Sequence, residues 1–264
     1  AFSIHSFVGQ TGFVLGPLTA GLLGPLIGWR GTLMAIGAVG LGVTAMLLLF
    51  GHWITEGRSV KKKAPVMDSL RSLVSSRPVM LFFLFYVGSA MANMGVSQFS
   101  VAAFGDMYGL PITTTALALT AYQIGTLVLI LPGGLLADRT DQYKGVLIAG
   151  FGLSALCVFL PGTGWLPFWL AVGSIFACGA VRGAVNATRS VAVRHAATSL
   201  EVGTVFGFVS TGALVGQTIG GPMYGWLFDN FEPNTVFYAS AGASLLAMST
   251  VLFSSGTRRP AVAV

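Results

Sequence analysis

The sequence predicts an all-α polytopic membrane protein with eight transmembrane helices, and three observations lead there. Of its residues 54% are hydrophobic and only 8% charged, whereas a soluble domain carries about a quarter charged residues because its surface faces water. Charges, prolines and glycine clusters divide the chain into eight apolar stretches, most of them near the roughly 20 residues needed to cross hydrocarbon. Lysine and arginine fall almost entirely on one side of those stretches. The 36 glycines fit this class too, since small residues let helices approach closely where lipid supplies no hydrophobic drive.

In order, the spans read as residues 3–27, 31–51, 79–103, 112–136, 145–161, 166–190, 203–227 and 235–254. Backbone groups in lipid must bond internally, so each span is a helix rather than an open strand. The fifth is the shortest. Between the second and third, "VMDSLRSLVSSRP" sets Val66, Leu70, Leu73 and Val74 at helical spacing. That pattern predicts a short amphipathic helix at the cytoplasmic surface, with a plain solvated linker as the alternative.

Orientation follows from the basic residues. Arg58, Lys61, Lys62, Lys63, Arg71 and Arg77 lie between spans two and three, and Arg139 and Lys144 follow span four. Arg182, Arg189 and Arg194 sit in or after the later half of span six, and Arg258 and Arg259 follow span eight. Only Arg30 is on the other side, where the loops hold Asp106, Asp229 and Glu232. Thirteen against one places both termini and the 52–77 linker in the cytoplasm. A missed span would scramble that division.

The same residues exclude other classes. A net charge of +6 does not mark a nucleic-acid binder here, because the bases form no interleaved aromatic platform and lie between apolar spans. Cys157 and Cys178 both fall inside apolar stretches and read as small hydrophobic residues rather than as a disulfide or metal pair. No mid-membrane nucleophile, carboxylate pair or metal cluster is present to support an enzyme, and no cofactor is expected. The chain begins at Ala1 without a basic-then-apolar leader or an initiator methionine, which fits a piece of something longer.

Polar residues inside the spans are unevenly shared. His5 and Gln10 lie in the first span, Asn93 and Gln98 in the third, Tyr122 and Gln123 in the fourth, Arg182 and Asn186 in the sixth, and Gln217 in the seventh. Spans two, five and eight have no interior amide, imidazole or charge. Such groups are costly toward lipid and face a bundle interior or a watery cavity. Every third helix therefore reads as lipid-facing, and the others as lining a central cavity. A faint repeat accompanies this: Gly16-Pro17 and Gly221-Pro222 are 205 residues apart, and each is followed in the next span by a Gly-Ala pair, Gly37-Ala38 and Gly242-Ala243. A six-helix repeat would pair spans one and two with spans seven and eight, as in transporters built from related halves.

On these residues the chain resembles the major facilitator superfamily. "GGLLADRTDQYK" is similar to the family's cytoplasmic loop motif G-x-L-A-D-R-x-G-R-K/R, matching at Gly134, Leu136, Ala137, Asp138 and Arg139 and departing at Asp141 and Gln142. "GFVLGPLTAGL" resembles the G-x-x-x-G-P-x-x-G-G motif common in exporters, matching at Gly12, Gly16, Pro17 and Gly21, with Ala20 in place of one glycine. The first span as a whole is similar to the fosmidomycin-resistance-like permeases and related drug or organic-anion permeases. The resemblance implies a partial major facilitator fold: eight of an expected twelve helices, numbers five to twelve, with four more preceding them in the intact protein. Residues 1–51 would be the last two helices of one half, 52–78 a linker and 79–264 the six helices of the other half. In that fold helices three, six, nine and twelve face lipid, which are this chain's apolar spans two, five and eight together with one span outside it.

What the resemblance implies for function is secondary active transport of a small organic solute by alternating access. Drug or organic-anion efflux, proton-coupled, is favoured, with uptake of a carboxylate or sugar, or a non-transporting receptor or scaffold, as alternatives. The protein would be a monomer in a bacterial inner membrane, with substrate, coupling ion and lipid as its partners and no nucleic acid. Gly134, Asp138 and Arg139, with Gly12, Gly16, Pro17 and Gly21, would form the gating elements, Asp138 meeting a helix N-terminus from the other half. Asn93, Gln98, Tyr122, Gln123, Arg182, Asn186 and Gln217 are the cavity candidates, and His5 the candidate for proton coupling. Arg182, Asn186 and Arg189 make a polar stripe at i, i+4, i+7, read as a cation at the cytoplasmic end of the cavity or a gate partner of Asp138. The stripes Gly12, Gly16, Gly21 and Gly212, Gly216, Gly220 read as tight packing surfaces, as faces along which the halves rock, or as both.

Overall fold

Backbone amides in a water-free environment have only their own helix to bond to, and the computed structural model is helical throughout its long segments. It describes residues 2–51, 66–140, 142–196 and 202–253. Among these, seven helices are long and apolar enough to cross a membrane: Leu26–Phe50, Arg77–Tyr108, Ile112–Ala137, Tyr143–Gly162, Phe168–Arg194, Val202–Asn230 and Thr235–Phe253. They coincide with expected spans two to eight. The stretch expected as span one, residues 3–27, is helical as well, being the first part of a continuous run from Phe2 to Phe50 (α1).

Gly28 divides α1. Its backbone, at φ 69° and ψ 168°, lies outside helical geometry, in a region that glycine enters without the Cβ clash of other residues. The break falls between the two expected spans. Beside it, Arg30 stacks over the Trp29 ring at 5.0 Å from guanidinium carbon to ring centroid, a pairing suited to a membrane–water boundary.

The described residues divide into two compact units, one of residues Gly12–Ser69 and one of Ala1–Thr11 with Leu70–Val264. The expected short helix between the second and third spans is present as α2 (Val66–Ser75). Of its apolar positions Leu73 is buried while Leu70 and Val74 stay exposed. α3 (Arg77–Met94) starts with Pro78 in its first turn, where the missing N–H costs nothing. It runs through a π-helical turn, Gly95–Phe99, into α4 (Ser100–Tyr108), which Gly109 ends in left-handed conformation at φ 63°. α5 (Ile112–Arg139), α6 (Tyr143–Gly162), α7 (Phe168–Ala196), α8 (Val202–Asn230) and α9 (Thr235–Phe253) complete the unit.

α5 packs along α7, α3 along α8, and α6 and α9 against each other, with α7 beside α6 and α3 beside α9. The apolar interior falls into two clusters. One gathers the start of α3 and α6 and the end of α7 and α9, including Phe85, Leu147, Val193 and Val251. The other gathers α4, the start of α5, α7 and α9 and the end of α6, including Phe104, Val158, Ile175 and Phe237. Leu153, Leu156, Leu245 and Leu246 remain exposed on the outer faces of α6 and α9, as a hydrocarbon surrounding permits.

Candidate functional site

Close helix contact builds the site. Where α5 and α7 meet, a Cβ on Gly179 would collide with the Tyr122 carbonyl oxygen and come within 2.9 Å of its carbon, and a Cβ on Gly183 would collide with the Thr126 carbonyl. Gly125 and Gly133 do the same from α5, against Phe176 and Ala184 of α7. Glycine is therefore needed on both helices, and the backbones approach as only small residues allow. This contact sets Tyr122 of α5 beside Arg182 of α7.

Along their helices, Asn93, Ser154, Arg182, Ser240 and Ser244 lie between the two apolar clusters. Arg182 sits at the midpoint of α7, equally far from Phe168 and Ala196. Its Nε donates to Ser154 Oγ on α6 at 2.9 Å and its Nη2 to Ser244 Oγ on α9 at 3.0 Å. Neither of these partners carries a negative charge. The Gly179 contact places the Tyr122 backbone against α7 one turn from Arg182. Tyr122, almost wholly buried, donates its own proton to Asn93 Oδ1 on α3 at 2.6 Å. Ser154 Oγ contacts Cys178 Sγ at 3.3 Å, Ser244 donates to the Ser240 carbonyl at 3.0 Å, and Ser240 donates to the Ala92 carbonyl. One charge is thus held by hydroxyls from two neighbouring helices, α6 and α9, a costly arrangement in a membrane interior unless it serves function.

Several expected cavity residues come together here and others do not. Asn93 and Tyr122 are joined by a hydrogen bond beside Arg182, with Asn93 exposed at its end. Gln123, next to Tyr122, accepts at its Oε1 from Gln10 Nε2 at 3.0 Å. Asn186 is engaged elsewhere: its Oδ1 accepts from Arg189 Nη2 at 2.8 Å, while Arg189 stacks over Tyr86 at 4.7 Å. The stripe Arg182, Asn186, Arg189 is therefore two separate local structures, because the Tyr86 ring and the Asn186 amide hold Arg189 among the apolar residues of the first cluster. Arg182 lies mid-helix rather than near either end, since its serine partners are at that depth. Gln98, in the π-helical turn, and Gln217, on α8, are exposed.

Of the residues expected to form the gate, Gly134 is buried and Arg139 exposed at the end of α5, and Gly133 is the glycine that touches a neighbouring helix. Gly12 and Gly16 have no described heavy atom within 4 Å of a built Cβ. Pro17, Gly21, His5 and Asp138 lie on helices, but their side-chain surroundings fall outside what the structure describes. The Gly212, Gly216, Gly220 stripe packs against α3, where Gly212 and Gly216 face the carbonyls of Phe83 and Val87.

Ser154 and Ser244 were missed by a reading that sought amides and charges, because serine in an apolar helix is common and bonds its own backbone. Ser240 and Ser244 at i, i+4 on an otherwise apolar helix, and Gly179-x-x-x-Gly183 beside Arg182, were the available signals. Next to this network the Tyr224 hydroxyl is buried with no hydrogen-bond partner, its ring against Gly95 of the π-helical turn.

No curated protein matches the chain. A family model does: that of the Major Facilitator Superfamily, over residues 89–263, which includes α4 to α9 and nearly every residue of the network. With its membrane-spanning helices and a match over well more than half of its length, the chain belongs to the Major Facilitator Superfamily, a family of secondary transporters.

Proposed function

We propose that this transporter moves a small organic anion across the membrane by alternating access, exporting it in exchange for protons. The observation that carries the reading is Arg182, a guanidinium at the middle of its span whose hydrogen-bond partners Ser154 and Ser244 are neutral. A cation in a membrane interior is costly unless it faces water or a partner of opposite sign, and a bound carboxylate or sulfonate supplies that partner. Asn93, bonded to Tyr122, and Gln123 serve in this reading as polar groups that orient the solute. The loop "GGLLADRTDQYKG" is the gate in this reading: a carboxylate at Asp138 near a helix N-terminus contributes up to ~1 kcal/mol at an exposed site, enough to bias inward-open against outward-open forms without locking either. His5 is the candidate for proton coupling within this chain. The setting is a bacterial inner membrane, with both termini cytoplasmic.

The test is counterflow in proteoliposomes containing the full-length protein, over a panel of anionic, neutral and cationic aromatic solutes, with and without a protonophore. The expected result is anion exchange that accelerates with an imposed pH gradient, loses that acceleration with the protonophore, and falls to background in Arg182→Gln. Flux of neutral sugars alone, or unchanged anion flux in Arg182→Gln, would overturn the substrate class. No flux of any solute would favour a receptor or scaffold.

A further inference from the structure

A hydrogen bond from the buried Tyr122 hydroxyl ends at an exposed amide, that of Asn93. A tyrosine hydroxyl both accepts and donates, and an asparagine amide can present either its oxygen or its nitrogen. The Tyr122 hydroxyl donates, and the positive charge of Arg182, near it on α7, favours a proton directed away from the guanidinium. It goes to Asn93, 2.6 Å away, where only Oδ1 can take it. The Asn93 carbonyl is thereby used on the protein side. The NH2 group of an exposed side chain is left as two donors facing away from the network. Ser154 and Ser244 hold Arg182 in place by accepting from its Nε and Nη2.

We propose that Asn93 is a specificity-determining residue whose amide donors bind an anionic oxygen of the solute, and that Tyr122 is the positioning residue that keeps those donors turned outward. This rests on the anion reading given under Proposed function and adds the contact that enforces it. Arg182 lies behind Tyr122 and supplies positive potential and polarity; Asn93 touches the solute. A cationic solute meets the wrong end of the amide, and an unpaired donor facing a ligand without an acceptor is a penalty of its own.

Equilibrium binding to the full-length protein in detergent tests this, using radiolabelled benzenesulfonate and benzyltrimethylammonium as the two probes. Wild-type protein is expected to bind the sulfonate in preference to the ammonium. Asn93→Ala is expected to weaken sulfonate binding roughly tenfold. Asn93→Asp, which has the same shape and can still accept from Tyr122, is expected to abolish the preference or reverse it. Tyr122→Phe, which removes only a hydroxyl, is expected to weaken sulfonate binding roughly three- to tenfold. In an Asn93→Ala background it is expected to have no further effect, because Tyr122 acts through Asn93. A sulfonate preference that survives Asn93→Asp, or an equal cost of Tyr122→Phe in both backgrounds, overturns this inference and leaves the anion reading standing. Wild-type protein that favours the ammonium, or binds neither probe, overturns the anion reading and this inference with it.

Discussion

Gly179→Ala should loosen the α5–α7 contact and the network that depends on it. The added methyl would lie 2.9 Å from the Tyr122 carbonyl carbon and 3.1 Å from its Cα, besides striking the carbonyl oxygen. Carbon atoms rest at ~3.5–4.0 Å, so the helices must part locally by at least ~0.6 Å, and the atoms that must yield are backbone in the middle of a helix. Overpacking of this kind costs about 1–3 kcal/mol, set against a gain of about 1 kcal/mol from replacing glycine by alanine within a helix. Gly173 is the control: it lies on the same helix, and nothing is within 4 Å of its Cβ position. Gly173→Ala keeps the propensity gain without the clash. Thermal unfolding in a fixed detergent should place Gly179→Ala below Gly173→Ala by about 2 kcal/mol, or roughly 4–8 °C for a protein of this size. Gly179→Ala should also lose sulfonate affinity, since a retreating α5 takes Tyr122 away from Arg182. If the two alanine variants melt together, the close contact does not hold these helices in place and the account of how Tyr122 is positioned fails.

Ser154→Ala and Ser244→Ala each remove an acceptor from a guanidinium donor inside the bundle, so each should destabilise by about 1–3 kcal/mol, measured by the same melt. Tyr224→Phe should be neutral or stabilising, because the hydroxyl it removes is buried without a partner and its desolvation cost vanishes with it. Gly95→Ala, whose methyl would meet the Tyr224 ring at 2.8 Å and Ser240 Oγ at 3.0 Å, should cost about 1–3 kcal/mol. Combining it with Tyr224→Ala should recover stability relative to Tyr224→Ala alone. Asp138→Asn should shift the protein toward inward-open forms, read as increased labelling of a cysteine introduced on the cytoplasmic side of the cavity; unchanged labelling would assign the loop a connecting role only.

Composition, the spacing of apolar stretches and the one-sided distribution of basic residues were enough to determine an all-helical membrane protein and to locate its spans, because the bilayer imposes length and backbone satisfaction on each segment separately. The short helix at Val66–Ser75 and the break at Gly28 were legible for the same local reason. Which residues meet across helices was decided only in three dimensions. The sequence placed Arg182, Asn186 and Arg189 on one stripe, yet Arg189 turns to Tyr86 and Asn186 while Arg182 reaches serines on α6 and α9. Helical periodicity specifies a face but not the neighbour opposite it, and a long side chain takes the partner that packing brings within reach. The close approach of α5 to α7, made by glycines on both helices, brought Tyr122 near Arg182, and Asn93 meets Tyr122 from α3. No single helix carries that arrangement, so no pattern within one helix could reveal it.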